Sequence, residues 1–178
     1  MDKDKLHQEF ESHHFACCRD ARYWAHREVF WRFIDHVCKL FIFLAASGAV
    51  CIKAFGGDAS SLKWCAAAAL ATFALESFAV QEKITFAMKH SQRYTALLMI
   101  FPINDGEESE ALLKRIRNER LRIEVEETIL LDCLSVICHN EQCEAEGLSA
   151  YKVKIGWFRR TVGRYFPIGF EMPMPNAA

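Results

Sequence analysis

Hydrophobic and polar positions fall into blocks along this chain, and each block has its own period. Residues 1–36 interleave Phe10, Phe15, Tyr23, Trp24, Phe30, Trp31, Phe33 and Ile34 with balanced charge and contain neither Gly nor Pro, which favours continuous helix. Two apolar runs follow between Val37 and Val80, joined by Gly56-Gly57-Asp58-Ala59-Ser60-Ser61. Leu40 to Ile52 carries no charge, and Trp64 to Val80 carries only Glu76. The pair predicts a helical hairpin. Helix then continues from Gln81 to Phe101, with Ile84, Met88, Tyr94, Leu97 and Leu98 near one side. Pro102 stops it, and Asn104-Asp105-Gly106 makes a turn.

Asp105 with Glu108 reads as a capping box opening a long helical region, Glu107 to Glu146. Ile116, Ile123, Leu130 and Ile137 recur every seven residues there, thickened by Leu112, Leu113, Leu134 and Val136. The stripe fits a coiled-coil-like association without a regular zipper. Glu110–Lys114, Arg115–Glu119 and Arg120–Glu124 are candidate ion pairs four residues apart, and a break is expected near Glu126–Thr128. Gly147 ends the region. In the tail, Ile155, Phe158, Val162 and Phe166 share a helical face that excludes Arg159, Arg160 and Arg164. The layout is therefore all-α in four parts: 1–36, the hairpin 37–80, 81–146 and the basic tail 147–178.

Length decides how the hairpin is read. A charge-free run of 13 residues makes about 20 Å of helix, short of the roughly 30 Å hydrocarbon core. Extension from Val37 to Phe55 reaches about 28 Å if Lys39 and Lys53 snorkel at the ends. The hairpin then crosses a membrane twice. Lys and Arg at both flanks, and their absence between Lys53 and Lys63, put both termini on the cytoplasmic side. The competing reading is a buried helical hairpin in an all-α domain. Tyr23, Trp24 and Trp31 precede the first run and fit either a membrane interface or a small aqueous core.

Mean hydropathy is near zero despite 25% charged residues, so apolar and charged positions are segregated. Net charge is −1, which gives no bulk field for nucleic acid. Residues 107–146 hold five Lys/Arg against eleven Asp/Glu, and 147–178 hold five against one. The tail is thus a candidate for lying on an anionic leaflet through Trp157, Phe158, Arg159, Arg160 and Arg164, or for docking on the acidic helix. Most of the eight cysteines sit in helix-like runs without Gly/Pro-rich loops, which reads as packed thiols.

No phosphate loop, nucleophile elbow, zinc-protease motif or EF-hand is present, so catalytic and cofactor residues are both expected to be none. His13/Cys17 and His14/Cys18 are spaced to hold a soft metal, but adjacent residues diverge by about 100° on a helix, so packing is the simpler reading. Cys133, Cys138, His139 and Cys143 walk around a helix and read the same way. Glu76 stands out. It pairs with Lys39 near the cytoplasmic end, or it joins Lys39, Ser47 and Thr72 along a polar path between hairpins. Ala45/Ala49 and Ala67/Ala71 are small-residue pairs suited to close helix packing.

The phrases Ala21-Arg22-Tyr23-Trp24-Ala25-His26-Arg27, Ser47-Gly48-Ala49 and Ile137-Cys138-His139-Asn140-Glu141, set in this layout, resemble segments of prophage-associated membrane proteins. The layout as a whole resembles the SLATT family of bacterial two-transmembrane proteins. That resemblance implies a homo-oligomeric inner-membrane effector that forms pores or disrupts membranes in a phage-defence setting. The alternative is a non-conducting anchor that recruits a cytoplasmic protein through its helical region.

Overall fold

No Gly or Pro precedes Gly48, and nothing in that stretch interrupts a backbone hydrogen-bond ladder. In the computed structural model, the first helix, α1, accordingly runs unbroken over Lys3–Ala54, 52 residues. The boundary expected at residue 37 falls inside it. The structure describes residues 3–54, 59–101, 109–126 and 131–165, with side chains except at 49–54, 59–62, 64, 65, 74 and 77. Gly56–Asp58, Pro102, the 104–106 turn, the Asp105/Glu108 box, Leu130 and Phe166 lie outside the described residues, as does the side chain of Ala49.

Every regular element described is helical: α2 (Ala59–Ser77), α3 (Val80–Leu98), α4 (Glu110–Glu126), α5 (Asp132–Ala145), a 3-10 turn (Ser149–Tyr151) and α6 (Trp157–Val162). Among the described residues no helix is long and apolar enough to cross a membrane. In α1 the described side chains of the apolar run extend only to Gly48, and α2 is diluted by alanine and carries Glu76 near its end.

Three boundaries differ from the sequence pattern, and two match it. Ala59–Ser61, expected in the turn, already belongs to α2. Helix does not pass from α2 into α3, because Ala79 takes φ 46°, the left-handed region that costs an L-residue about 1–2 kcal/mol. Its N–H bonds the Glu76 carbonyl at 2.9 Å, and its own carbonyl accepts from Lys83 at 3.1 Å to start α3. The long acidic region divides into α4 and α5, with α4 ending at the residue where a break is expected. α4 opens at Glu110, where the Ser109 hydroxyl accepts the Leu112 N–H at 3.2 Å and satisfies one of the first turn's unpaired donors. Gly147, at φ 72°, ends α5 as expected: the Leu148 N–H reaches back to the Cys143 carbonyl at 2.7 Å, the six-to-one bond of a glycine-terminated helix.

The chain divides into two compact units, Met1–Ala25 with Lys89–Ala178, and His26–Met88. In the first, Phe10 and His14 meet Phe101 edge-on, Phe15 meets His139, and Trp24 lies 4.7 Å from His90. Tyr23 and Trp24 are buried and pack in a core, whereas Trp31, named with them, is half-buried in the other unit. The Tyr23 hydroxyl also accepts the Leu131 N–H at 2.9 Å. Ile116, Ile123 and Ile137 of the seven-residue repeat are all in this core, and the expected Arg120–Glu124 pair forms at 2.8 Å. Arg120 also reaches Asp20 at 3.5 Å, tying α4 to α1.

Within the second unit, the Gln81 amide donates to Asp35 at 2.7 Å, and Lys83 lies 4.5 Å from the Trp31 ring centre. That distance is within cation–π range. These contacts join α3 to α1.

Candidate functional site

Helical packing normally buries Leu and Phe, so their exposure needs a reason. In the second unit Phe33, Leu40, Phe43 and Leu44 of α1 and Leu70 and Phe73 of α2 are all exposed. This is the largest concentration of uncovered apolar side chains in the molecule's described residues. It coincides with the two apolar segments that predict a hairpin.

The polar residues singled out there are placed as follows. Lys39 is exposed, and its ammonium pairs with Asp35 at 2.7 Å, not with Glu76 as expected. The reason is local: the two residues are one turn apart on α1, so the pair needs no loop to close. Glu76 and Thr72 are exposed and Ser47 is half-buried. Thr72 donates its hydroxyl to the Ala68 carbonyl at 3.0 Å, so its polarity is spent inside α2. Ala45 is fully buried, whereas Ala67 and Ala71 are half-buried. Close packing thus occurs at Ala45 within the chain's own fold.

Asp35 is the polar residue that the hydropathy pattern does not single out. It is only 6% exposed, and its two carboxylate oxygens are taken by Lys39 and Gln81 at 2.7 Å each. A buried carboxylate is tolerated when both a counter-charge and a hydrogen bond reach it. The signal for it in the sequence is an Asp four residues before a Lys, beside an apolar run.

The basic tail docks on α5. The Asn140 side-chain amide donates to the Val153 carbonyl and accepts the Val153 N–H, both at 2.7 Å. Lys152 pairs with Glu144 at 3.2 Å, and a Cβ at Gly163 would come within 2.7 Å of the Cys133 sulfur. α6 is only six residues long, shorter than the amphipathic helix expected. Ile155 and Val162 are half-buried, whereas Trp157, Phe158, Arg159 and Arg160 face outward and Arg164 is half-buried. A shallow cavity of about 210 Å3 between this segment and α5 is lined by Asn140, Glu141, Glu144, Lys152 and Arg160.

Two thiols lie beside imidazoles one turn away on their own helices. Cys18 lies 3.8 Å from His14, and Cys143 lies 3.4 Å from His139. Burial pushes the Cys17 and Cys138 thiols up to about 12, which keeps them protonated at neutral pH. Burial, reinforced by Arg120 and Arg117, lowers the pKa of His13. Compared with protein-family models, with curated proteins and with solved structures, the chain matches none.

Proposed function

We propose that this protein is an oligomeric membrane effector whose second unit inserts in a bacterial inner membrane as a helical hairpin, with both termini cytoplasmic, and permeabilises it. The observation that carries the reading is the uncovered apolar surface of α1 and α2, with Leu40, Phe43, Leu44, Leu70 and Phe73 exposed. A chain in water seldom leaves so many large apolar side chains uncovered, whereas lipid covers them at no cost. The sequence extends the run of α1 through Ala49-Val50-Cys51-Ile52, the residues a full span requires beyond Gly48. Lys39 near its start is neutralised by Asp35, which lowers the cost of a charge close to lipid. Glu76, Ser47 and Thr72 would line the polar path. The resemblance to SLATT proteins implies the same role.

Carbonate extraction of cell membranes and dye influx on expression test this. Retention in the pellet, with influx abolished by Glu76→Ala, is the expected result. Release into the supernatant, or normal membrane potential at high expression, overturns it. A second reading, a non-conducting anchor for a cytoplasmic partner, is favoured by one feature of the first unit. α3 and α4 flank a groove of about 320 Å3 with an apolar floor of Ala96, Leu97, Ile100 and Ile123, rimmed by Arg93, Arg115 and Glu119, which suits an amphipathic peptide of mixed charge.

A further inference from the structure

In the first unit's part of α1, Leu6, Phe10, His13, Cys17, Asp20 and Trp24 follow one another at alternating steps of four and three, the spacing of a face turned to another helix. Leu113, Ile116, Arg120 and Ile123 of α4 do the same. The apolar members of both rows are buried. The polar members stand together: Arg120 reaches Asp20 at 3.5 Å and Glu124 at 2.8 Å, and Asp20 also holds Arg19 at 2.7 Å. His13 is the polar member left over. It is half-buried, and its Nδ1 is closed off from solvent with no hydrogen-bond partner among the described residues.

Such a ring is held best without charge. A neutral imidazole can leave one nitrogen bare, whereas a protonated one must carry N–H at both. At Nδ1 that hydrogen would have no acceptor, and a buried donor left so costs stability. The surroundings act in the same direction. Arg120 and Arg117 of α4 are the cations that face the ring, and Glu9 of α1 and Glu124 of α4 are the acids. Glu124 is already engaged by Arg120, and Glu9 is exposed to water. Cys17, one turn along, keeps its proton. Burial first, then Arg120 and Arg117, lower the pKa of His13 from 6.5. What the neutral ring contributes is therefore complete above 6.5 and is lost as pH falls through the folded value.

We propose that His13 is an acid-sensitive latch between α1 and α4: when its ring takes up a proton, α4 parts from α1 and both apolar rows are uncovered. α4 does not leave altogether. Glu126 at its end pairs with Arg93 of α3 at 2.6 Å and with Lys89 at 3.6 Å. The Arg93 hydrogen bond holds that carboxyl below its ordinary range, so this anchor outlasts the acid that opens the latch. The latch goes beyond the membrane reading and does not depend on it.

The test is thiol labelling of the full chain in mild detergent with 4,4′-dithiodipyridine, which reacts in mild acid, read by peptide mass after peptic digestion. Cys17 lies in the seam, and Cys138 is buried on α5. From about pH 7.5 to about pH 5, Cys17 labelling relative to a free thiol should rise severalfold while Cys138 stays protected. His13→Gln should hold Cys17 labelling flat. Arg117→Gln, at an exposed position, should shrink the rise and move the His13 ring resonance, followed by NMR, up towards 6.5. A Cys17 rate indifferent to pH, an equal rise in His13→Gln, or a rise of Cys138 alongside Cys17 overturns the latch. Should His13→Gln fail to fold, Arg117→Gln decides, and an undiminished rise there overturns it.

Discussion

Burial, more than neighbouring charge, sets the chemistry of Cys17 and Cys138. For Cys17 the desolvation penalty on the thiolate outweighs the attraction of Arg120, and for Cys138 it outweighs those of Arg164, Arg19 and Arg22. Both thiols therefore hold their proton to about 12, against an ordinary value of 9.0. Below 9.0 the folded and unfolded chains both keep these protons. Between 9.0 and about 12 the unfolded chain loses them and the folded chain does not. Stability from these groups is thus complete below the lower value and falls as pH rises through that window. Urea midpoints measured from pH 8 upward should decline, and Cys17→Ser/Cys138→Ser should flatten the decline at a cost in overall stability. Iodoacetamide at neutral pH should spare both residues until the chain is unfolded, as read by peptide mass.

Some residues declare their place in the sequence, and others do not. Ile116, Ile123 and Ile137 announce their burial by spacing alone. Asp35 does not, because its role depends on Gln81 arriving from α3. Lys39 stands out in an apolar run, but hairpin symmetry points to a partner across the turn, when one turn of its own helix already offers Asp35. His90 carries no sequence signal, yet it is fully buried beside Trp24.

At the level of elements, two local features carry consequences. Ala79 holds a positive φ, so Ala79→Gly relieves strain between α2 and α3, offset by the greater freedom of glycine in the unfolded chain. The net expectation is a gain of up to about 1 kcal/mol, read from the thermal midpoint. Asn140 works in the opposite sense. Its amide supplies both hydrogen bonds to the Val153 backbone, taking the place of a neighbouring strand for an extended segment. Asn140→Ala removes two bonds and should cost about 1–3 kcal/mol. It should also speed hydrogen exchange at Val153 while Ile116 and Ile123 of α4 keep their protection. The tail's docking on α5 is one of two alternatives that the sequence leaves open. A basic amphipathic stretch is equally suited to acidic protein and acidic lipid, and only the position of Asn140, Glu144 and Cys133 on α5 decides between them for Lys152, Val153 and Gly163.

For the molecule as a whole, that docking leaves an outward surface of Trp157, Phe158, Arg159 and Arg160, with Trp157 78% exposed. From Gly147 to Tyr165 the chain holds basic residues and no acid. Sedimentation with anionic vesicles should exceed that with zwitterionic ones, and Arg159→Glu/Arg160→Glu should abolish the difference. Blue-shifted Trp157 fluorescence on binding would place the ring at the interface. Equal binding to both vesicle types would show that this surface serves something other than lipid.

The sequence alone determined the class, the helical periods and the two segments too apolar to be ordinary surface. These follow from properties each residue carries with it: propensity, hydrophobicity and the 3.6-residue turn. Tertiary structure decided the rest. It set which face of α1 is covered and which is free, whether Tyr23 and Trp24 meet lipid or core, and where the basic tail rests. All of these depend on contacts between positions well separated in the chain, such as Asp35 with Gln81 and Tyr23 with Leu131. A one-dimensional period fixes how a helix is striped, and only the neighbours that arrive decide which stripe is the inside.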